Sequence, residues 1–346
     1  MLISDLNSTL SSLLSQVRAE QIFLLTDAGA GATCLPSLNI LLPNAPTLVL
    51  HTSEKAKSLQ SIEDIWDFLL AHQATRDAIL INLGGGVVTD MGGFAAATYK
   101  RGIRFINMPT TLLAMVDAST GGKTGFNYHG LKNIIGTFSQ PLQTLIYPPF
   151  LTFLPTVEWI SGYAEMLKHA LITNHDEWDR LLRYNLHTRD IQSLTPLLEA
   201  SLHIKQHIVD IDPYEHGVRR ALNFGHTAGH AIEATYAQQH RPVHHGYCVL
   251  WGMIAALYLS VVRLGFPRQP LQQLQQIMLE YYGRPACNCT QQDALLDLMR
   301  QDKKNTLSSD KVFVNFTLLR DIGKPVINQT PTDTEIREAL DYLFSL

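Results

Sequence analysis

The chain has 346 residues, enough for two domains of ordinary size, and its 46% apolar and 17% charged residues are those of a globular protein. A formal net charge of -4 excludes any general attraction to nucleic acid or to an anionic membrane, so a basic region must be local. No apolar run approaches the ~20 residues needed to cross a bilayer, and the amino terminus lacks the basic start and apolar core of a signal peptide. The four cysteines, Cys34, Cys248, Cys287 and Cys289, have no zinc-ribbon spacing and read as free thiols in a reducing cytoplasm.

Leucine spacing in MLISDLNSTLSSLLSQ predicts an amphipathic helix. Residues 21–26 (QIFLLT) read as a strand ending at Asp27-Ala28-Gly29. Asp27 there suits either of two roles, a hydrogen bond to a nucleotide ribose or a cap on the turn. Residues 46–50 read as a second strand and 62–72 as a helix. Residues 78–83 form a short, charge-free run expected of a strand buried on both faces. Gly84, Gly85 and Gly86 follow it, and Thr89-Asp90 suits the cap of a helix over 91–99. Strand, glycine turn and helix N-terminus together make an anion site, because unpaired N–H groups point at the ligand.

A further strand is expected over 102–108, followed by the turn Pro109-Thr110-Thr111 and a run from Leu112 to Val116 that leads into Asp117. Gly121-Gly122 precedes Lys123, and Lys132-Asn133 follows. Two lysines, Arg101 and two glycine turns so close together suggest a pocket for several phosphates. The alternation of strands and helices through residue 147 predicts a Rossmann-like parallel sheet with right-handed crossovers. Tyr147-Pro148-Pro149 reads as a hinge, which divides the chain into domains 1–147 and 148–346. Beyond it helical patterns cover 157–172, 176–184, 189–210, 222–237, 244–264, 268–283 and 291–301. A strand or hairpin at 312–319 and a helix at 333–345 close the chain.

Ligand-type side chains gather in three helical segments: Glu165 with Lys168 and His169, His226 with His230, and His244 with His245. His226 and His230 lie four apart on one helix face, a familiar zinc spacing. The pattern alone fits both as metal ligands, or as histidines satisfied by neighbouring carboxylates.

Residues 84–127, GGGVVTDMGGFAAATYKRGIRFINMPTTLLAMVDASTGGKTGFN, closely resemble the signature of the 3-dehydroquinate synthase family, and the resemblance runs from about residue 54 to 323. It implies an α/β fold: an N-terminal Rossmann-like NAD-binding domain, a mainly α-helical metal- and substrate-binding domain, and an active site in the cleft between them. It implies NAD contacts from Asp27, Glu54, Lys57, Gly85, Gly86, Asp90, Thr110, Thr111, Asp117 and Lys132. It further implies one divalent metal, zinc or cobalt, on Glu165, His226 and His245, with His244 the competing candidate for the third position. Three protein ligands leave room for substrate oxygens, as in catalytic sites.

Matching positions that line the substrate pocket are Arg101, Asp117, Lys123, Lys132, Asn133, Lys168, Lys205, Glu215, Arg219, Asn223 and His230. One more cation is expected from Asp302-Lys303-Lys304-Asn305, assigned to Lys303 with Lys304 as the alternative. Lys168, His230, Lys123 and Asn133 carry the expected catalytic roles, His230 and Lys168 as proton relays. The implied reaction converts 3-deoxy-D-arabino-heptulosonate 7-phosphate to 3-dehydroquinate and phosphate. It proceeds by transient oxidation with NAD, phosphate elimination, re-reduction and an intramolecular aldol. The partner expected is this small sugar phosphate, with no nucleic acid or membrane, in a cytoplasmic homodimer. Sister sugar-phosphate cyclases, a metal-dependent polyol dehydrogenase and a non-catalytic binding protein are the alternatives. Four departures from the family stand out: Ser53 for a glycine, Tyr247 for a glutamate, the run Asp212-Pro213-Tyr214-Glu215, and a helix where one or two initial strands are usual.

Overall fold

The computed structural model describes residues 1–51, 56–129, 131–286, 291–301, 306–308 and 311–346. They divide into two compact units, Met1–Pro155 and Thr156–Leu346. The segment after Tyr147 is a 3₁₀ turn, Pro148–Phe153, and the division falls just beyond it.

In the first unit, helix α1 (Leu6–Leu14) buries Leu6, Leu10 and Leu14, the stripe that its leucine spacing predicts. Ahead of it Leu2 makes an isolated parallel bridge to Ile146. The chain then runs β1 (Ile22–Asp27), α2 (Ala28–Thr33), α3 (Leu35–Asn39), β2 (Thr47–Leu50), α4 (Leu59–Ala71), β3 (Ile79–Gly84), α5 (Gly86–Thr98), β4 (Arg104–Pro109), β5 (Lys123–Tyr128), β6 (Leu131–Phe138) and β7 (Gln143–Thr144). Strands pair in parallel in the order β2-β1-β3-β4-β7. β1 and β3 are buried along their whole length, as central strands covered on both faces are, and the one charged residue, Asp27, ends β1. Ile62, Ile65 and Leu69 of α4 and Val88, Met91 and Phe94 of α5 complete the core over Phe23, Leu80 and Phe105.

Two features depart from the sequence reading. Helix α5 begins at Gly86, not at Met91, because Gly85 takes the capping position in extended backbone and Thr89 N–H already bonds its carbonyl at 3.1 Å. Thr89 and Asp90 therefore lie inside the helix. Gly121-Gly122, expected as a simple turn, leads into the antiparallel hairpin β5–β6. Gly125 and Gly136 pair across that hairpin, so it lacks the alternation that announces a strand. Between β4 and the hairpin a π-turn, Ala114–Ala118, carries Asp117.

The second unit comprises α6 (Thr156–Leu171), α7 (His175–Arg183), α8 (Ile191–Ile211), α9 (His226–Gln238), α10 (His245–Leu264), α11 (Arg268–Ile277), α12 (Gln292–Arg300), the hairpins β8 (Thr306–Ser308) with β9 (Lys311–Phe313) and β10 (Phe316–Leu319) with β11 (Pro325–Gln329), and α13 (Asp333–Ser345). Helix α10 corrects another expectation. At 20 residues and mean hydropathy 1.7 it is long and apolar enough to cross a bilayer, but 67% of that window is buried inside the protein. It is the central helix of this unit, packed on α6, α9 and α13.

Glycines set how closely α9 and α10 approach. A Cβ on Gly252 would overlap the Gly225 carbonyl oxygen and lie 2.6 Å from the Gly229 nitrogen. Replacing Gly252 by alanine must therefore part the helices, at a cost of about 3 kcal/mol, the upper end of the usual overpacking range. Urea unfolding should show a clear drop in midpoint for Gly252→Ala. Gly265→Ala meets nothing within 4 Å and suffers only its left-handed φ of +70°, a cost of about 1 kcal/mol, the low end of the left-handed penalty for an L-residue. Losses of equal size would contradict the close-packing account.

Candidate active site

Each unit carries its own cluster of functional side chains. In the first, β1, β3 and β4 deliver their carboxyl ends to one place. Asp27 Oδ1 accepts from Ala30 N–H at 2.9 Å, which makes Asp27 the cap of α2. Its Oδ2 lies against Gly84, where an added Cβ would come within 2.9 Å. Thr110 N–H donates to the Gly84 carbonyl at 3.0 Å. A Cβ on Gly85 would sit 3.2 Å from the Thr111 methyl, and one on Gly86 would sit 3.1 Å from Ala118, next to Asp117. The first-turn N–H groups of α5, which have no side-chain cap, open onto this glycine turn.

Lys57, only 3% exposed, donates to the Asp90 carboxylate and to Asn133 Oδ1. It ties the α5 helix to the hairpin, where Asn133 adopts a left-handed φ of 49° and donates its N–H to Asn127 Oδ1 at 2.9 Å. Lys123 and Lys132 stand exposed on β5 and β6. The structure thus gathers Asp27, Gly85, Gly86, Thr110 and Thr111 around the glycine turn and links Lys57 to Asp90 and Asn133. Arg101 is not among them. It lies in the turn after α5, and that helix's 13 residues put it roughly 20 Å along from Gly86. Glu54, Lys303 and Lys304 lie outside the described residues.

In the second unit α6, α9 and α10 converge on Glu165, which is 0% exposed. Glycine again sets the approach. A Cβ on Gly246 would overlap the Ser161 carbonyl oxygen, and Gly246 N–H donates to Ser161 Oγ at 3.1 Å. This holds the start of α10, and with it His245, against α6. His226 Nε2 stands 3.6 Å and His245 Nε2 3.8 Å from Glu165 Oε1. Neither distance is a hydrogen bond, and both Glu165 oxygens lack a hydrogen-bond partner. Lys168 forms an ion pair with Oε2, without hydrogen-bond alignment.

A tetrahedral cation with arms of about 2.1 Å holds its ligand atoms roughly 3.4 Å apart. The spacing around Glu165 Oε1 therefore fits a divalent metal, which would also neutralise a buried carboxylate. His230 joins the cluster, its ring centroid 5.2 Å from His226 and 5.8 Å from His245. His244 does not. Its Nδ1 lies 3.3 Å from Glu158, and that hydrogen bond raises its pKa despite an opposing contribution from burial.

Lys205 is buried on α8. Arg219 is buried in the 3₁₀ turn Val218–Asn223, where its guanidinium donates to the Pro213 carbonyl. Asn223 Nδ2 donates to Glu215 Oε1 at 2.6 Å, and Glu215 takes a left-handed φ of 62°. Asp212 organises this loop. Burial alone would raise its pKa, but the N–H groups of Gly217, His216 and Arg219 hold the carboxyl below its ordinary range. Tyr247 packs edge-on against Tyr282 at 5.0 Å between ring centroids. Tyr282 is fully enclosed, and burial drives its pKa well up.

Sequence reasoning missed Glu233. Its Oε2 lies 3.2 Å from His245 Nδ1. The signal was present, since His226, His230 and Glu233 fall at i, i+4 and i+7 on one face of α9.

A Rossmann-like sheet unit with a glycine turn, followed by a mainly α-helical unit with a Glu-His-His cluster around a buried carboxylate, defines a class of two-domain metal-dependent enzymes. The sulfoacetaldehyde reductase of Bifidobacterium kashiwanohense, solved with NAD+, shares the fold with a TM-score of 0.68 at 12% identity, over 99% of this chain and 96% of that one. The 2-epi-5-epi-valiolone synthase of Streptomyces hygroscopicus, solved with NAD+ and Zn2+, matches with a TM-score of 0.84 at 26% identity, over 99% and 95%. The N-terminal model of the 3-dehydroquinate synthase family matches residues 47–161, and its C-terminal model matches residues 162–305. The 3-dehydroquinate synthase of Parabacteroides distasonis is 42% identical over 344 residues, 99% of this chain and 96% of the relative. That of Listeria innocua is 37% identical over 318 residues, 90% and 85% respectively. The chain belongs to the 3-dehydroquinate synthase family and is an enzyme of this type.

Lys168 is the countercharge that the buried Glu165 carboxylate has without metal. Lys168→Met should therefore destabilise the chelator-treated protein by about 3–5 kcal/mol, the usual cost of stranding a buried charge. Urea unfolding with and without zinc checks this: added zinc should recover much of the loss. An unchanged midpoint in chelator would contradict it.

Proposed function

We propose that the protein converts 3-deoxy-D-arabino-heptulosonate 7-phosphate to 3-dehydroquinate and inorganic phosphate. The observation that carries this reading is the family-matched set Glu165, His226 and His245, whose ligand atoms stand at metal-binding spacing around a buried carboxylate. Glu165, His226 and His245 would hold a zinc or cobalt ion, which would supply Lewis-acid polarisation at the substrate's C5 alcohol, and the glycine turn would hold NAD, which would supply reversible hydride acceptance with no net redox.

The remaining roles belong to the chain itself. The α5 N-terminus with Gly85 and Gly86 binds the cofactor diphosphate through backbone N–H groups. Asp27 uses one oxygen to cap α2 and turns the other toward the glycine turn, where a ribose hydroxyl can donate to it. Lys57 couples the cofactor side to the substrate side, because it holds Asp90 and Asn133 together. Lys123, Lys132 and Asn133 supply charge and hydrogen bonds for the phosphate that leaves. Arg219 and Lys205 hold the substrate's other anionic group, the guanidinium suiting a carboxylate. His230 is placed to hold or pass a proton at the substrate oxygen beside the ligand cluster. A cytoplasmic homodimer acting on this small sugar phosphate completes the reading, on family resemblance.

The deciding measurement is phosphate release from 3-deoxy-D-arabino-heptulosonate 7-phosphate with catalytic NAD. We expect one phosphate per substrate, no lasting NADH, full loss with chelator and recovery with zinc or cobalt. Lys123→Ala should lower kcat/KM roughly 10- to 100-fold, as expected for losing a charge-assisted contact of about 1.5–3 kcal/mol. Accumulating NADH would instead assign a polyol dehydrogenase. Turnover only with another sugar phosphate would assign a sister cyclase.

A further inference from the structure

Both histidines that face Glu165 direct the other ring nitrogen at an acceptor. His226 Nδ1 lies 3.1 Å from the Phe224 carbonyl oxygen, and His245 Nδ1 lies 3.2 Å from Glu233 Oε2. Each ring thereby keeps its proton on Nδ1 and offers the Nε2 lone pair toward Glu165, at 3.6 and 3.8 Å. The two partners differ in kind. A backbone carbonyl is fixed by the fold, whereas Glu233 is a side chain placed there by the sequence.

Glu233 is 8% exposed, and a carboxylate taken so far from water costs several kcal/mol unless it is well paired. It sits on α9 and crosses to the first residue of α10. The backbone beside His245 is already fixed, because Gly246 is in contact with Ser161 and donates to its hydroxyl at 3.1 Å. The freedom left to His245 is rotation of its side chain, and the contact with Glu233 Oε2 restrains it. The next side chain on α10, Tyr247, offers no carboxylate and is packed among Trp251 and Tyr282.

We propose that Glu233 is a positioning residue for the metal. It fixes the tautomer and orientation of His245 and raises the basicity of the Nε2 that would bind the ion. The idea rests on the reading that Glu165, His226 and His245 hold a divalent cation. Glu233 itself touches neither ion nor substrate in this scheme.

The test is cobalt(II) titration of chelator-treated protein against a competing chelator, read by the visible cobalt spectrum, with urea unfolding of the metal-free protein as the structural control. Glu233→Ala should weaken cobalt binding about 10- to 100-fold and shift the spectrum. Glu233→Gln keeps an acceptor without charge, so it should fall between the alanine variant and the wild type. Its metal-free urea midpoint should stay near the wild-type value. If Glu233→Ala fails to fold, the glutamine variant alone decides: wild-type cobalt affinity and spectrum in it overturn the proposal. Lost affinity matched by an equal loss of metal-free stability also overturns it, because the role is then merely structural. A wild-type protein that takes up no cobalt, or a Glu165→Ala variant that binds it as tightly, sinks the metal reading and this proposal with it.

Discussion

The second unit depends on one constraint, a carboxylate at zero exposure in a helical core. A buried carboxylate is costly without countercharge, and the chain supplies Lys168 one turn away from Glu165 and turns imidazoles from two other helices toward it. Such a site cannot be assembled from one element. It requires α6, α9 and α10 to meet within a few ångströms, so the packing of three helices and the chemistry of the site are the same problem.

Glycine solves it. Gly246 lets α10 touch α6 at Ser161, and Gly225, Gly229 and Gly252 let α9 and α10 cross nearly backbone to backbone. Any side chain at these points would meet backbone or a packed neighbour and force the helices apart, widening the separation that brings His226 and His245 to one oxygen. The hydrophobicity of α10 serves the same end. A helix buried on most of its faces can be as apolar as a membrane span, and its first residue is His245.

The first unit uses the opposite resource, free backbone rather than buried charge. Three central strands end together, and the chain leaves β3 through glycines directly into a helix with no side-chain cap. Its unpaired N–H groups are the ligand-seeking feature. Asp27 shows how little is spent on this arrangement, since one of its oxygens closes α2 while the other stays at the turn.

Much of this was legible in the chain itself. Charge-free runs mark β1 and β3, leucine spacing marks α1, and the glycine triplet, the His-x₃-His pair and Glu165 each announce polar chemistry within otherwise apolar segments. These are local signals, set by periodicity and by what glycine alone permits. The start of α5 is not legible, because Thr89-Asp90 has capping chemistry while Gly85 has capping geometry. The β5–β6 hairpin was missed because two paired glycines erase its alternation.

What only the tertiary structure decided is which side chains meet. His244 and His245 are adjacent in sequence, yet one pairs with Glu158 and the other turns to Glu165, because the first residue of a helix and the residue before it point different ways. Arg101 belongs to the same run of residues as the glycine turn and lies at the other end of α5 from it. Glu233 carries the helical period of the histidines, but its partner is on another helix. Sequence spacing fixes neighbours along one element; contact between elements depends on how closely their backbones can pack.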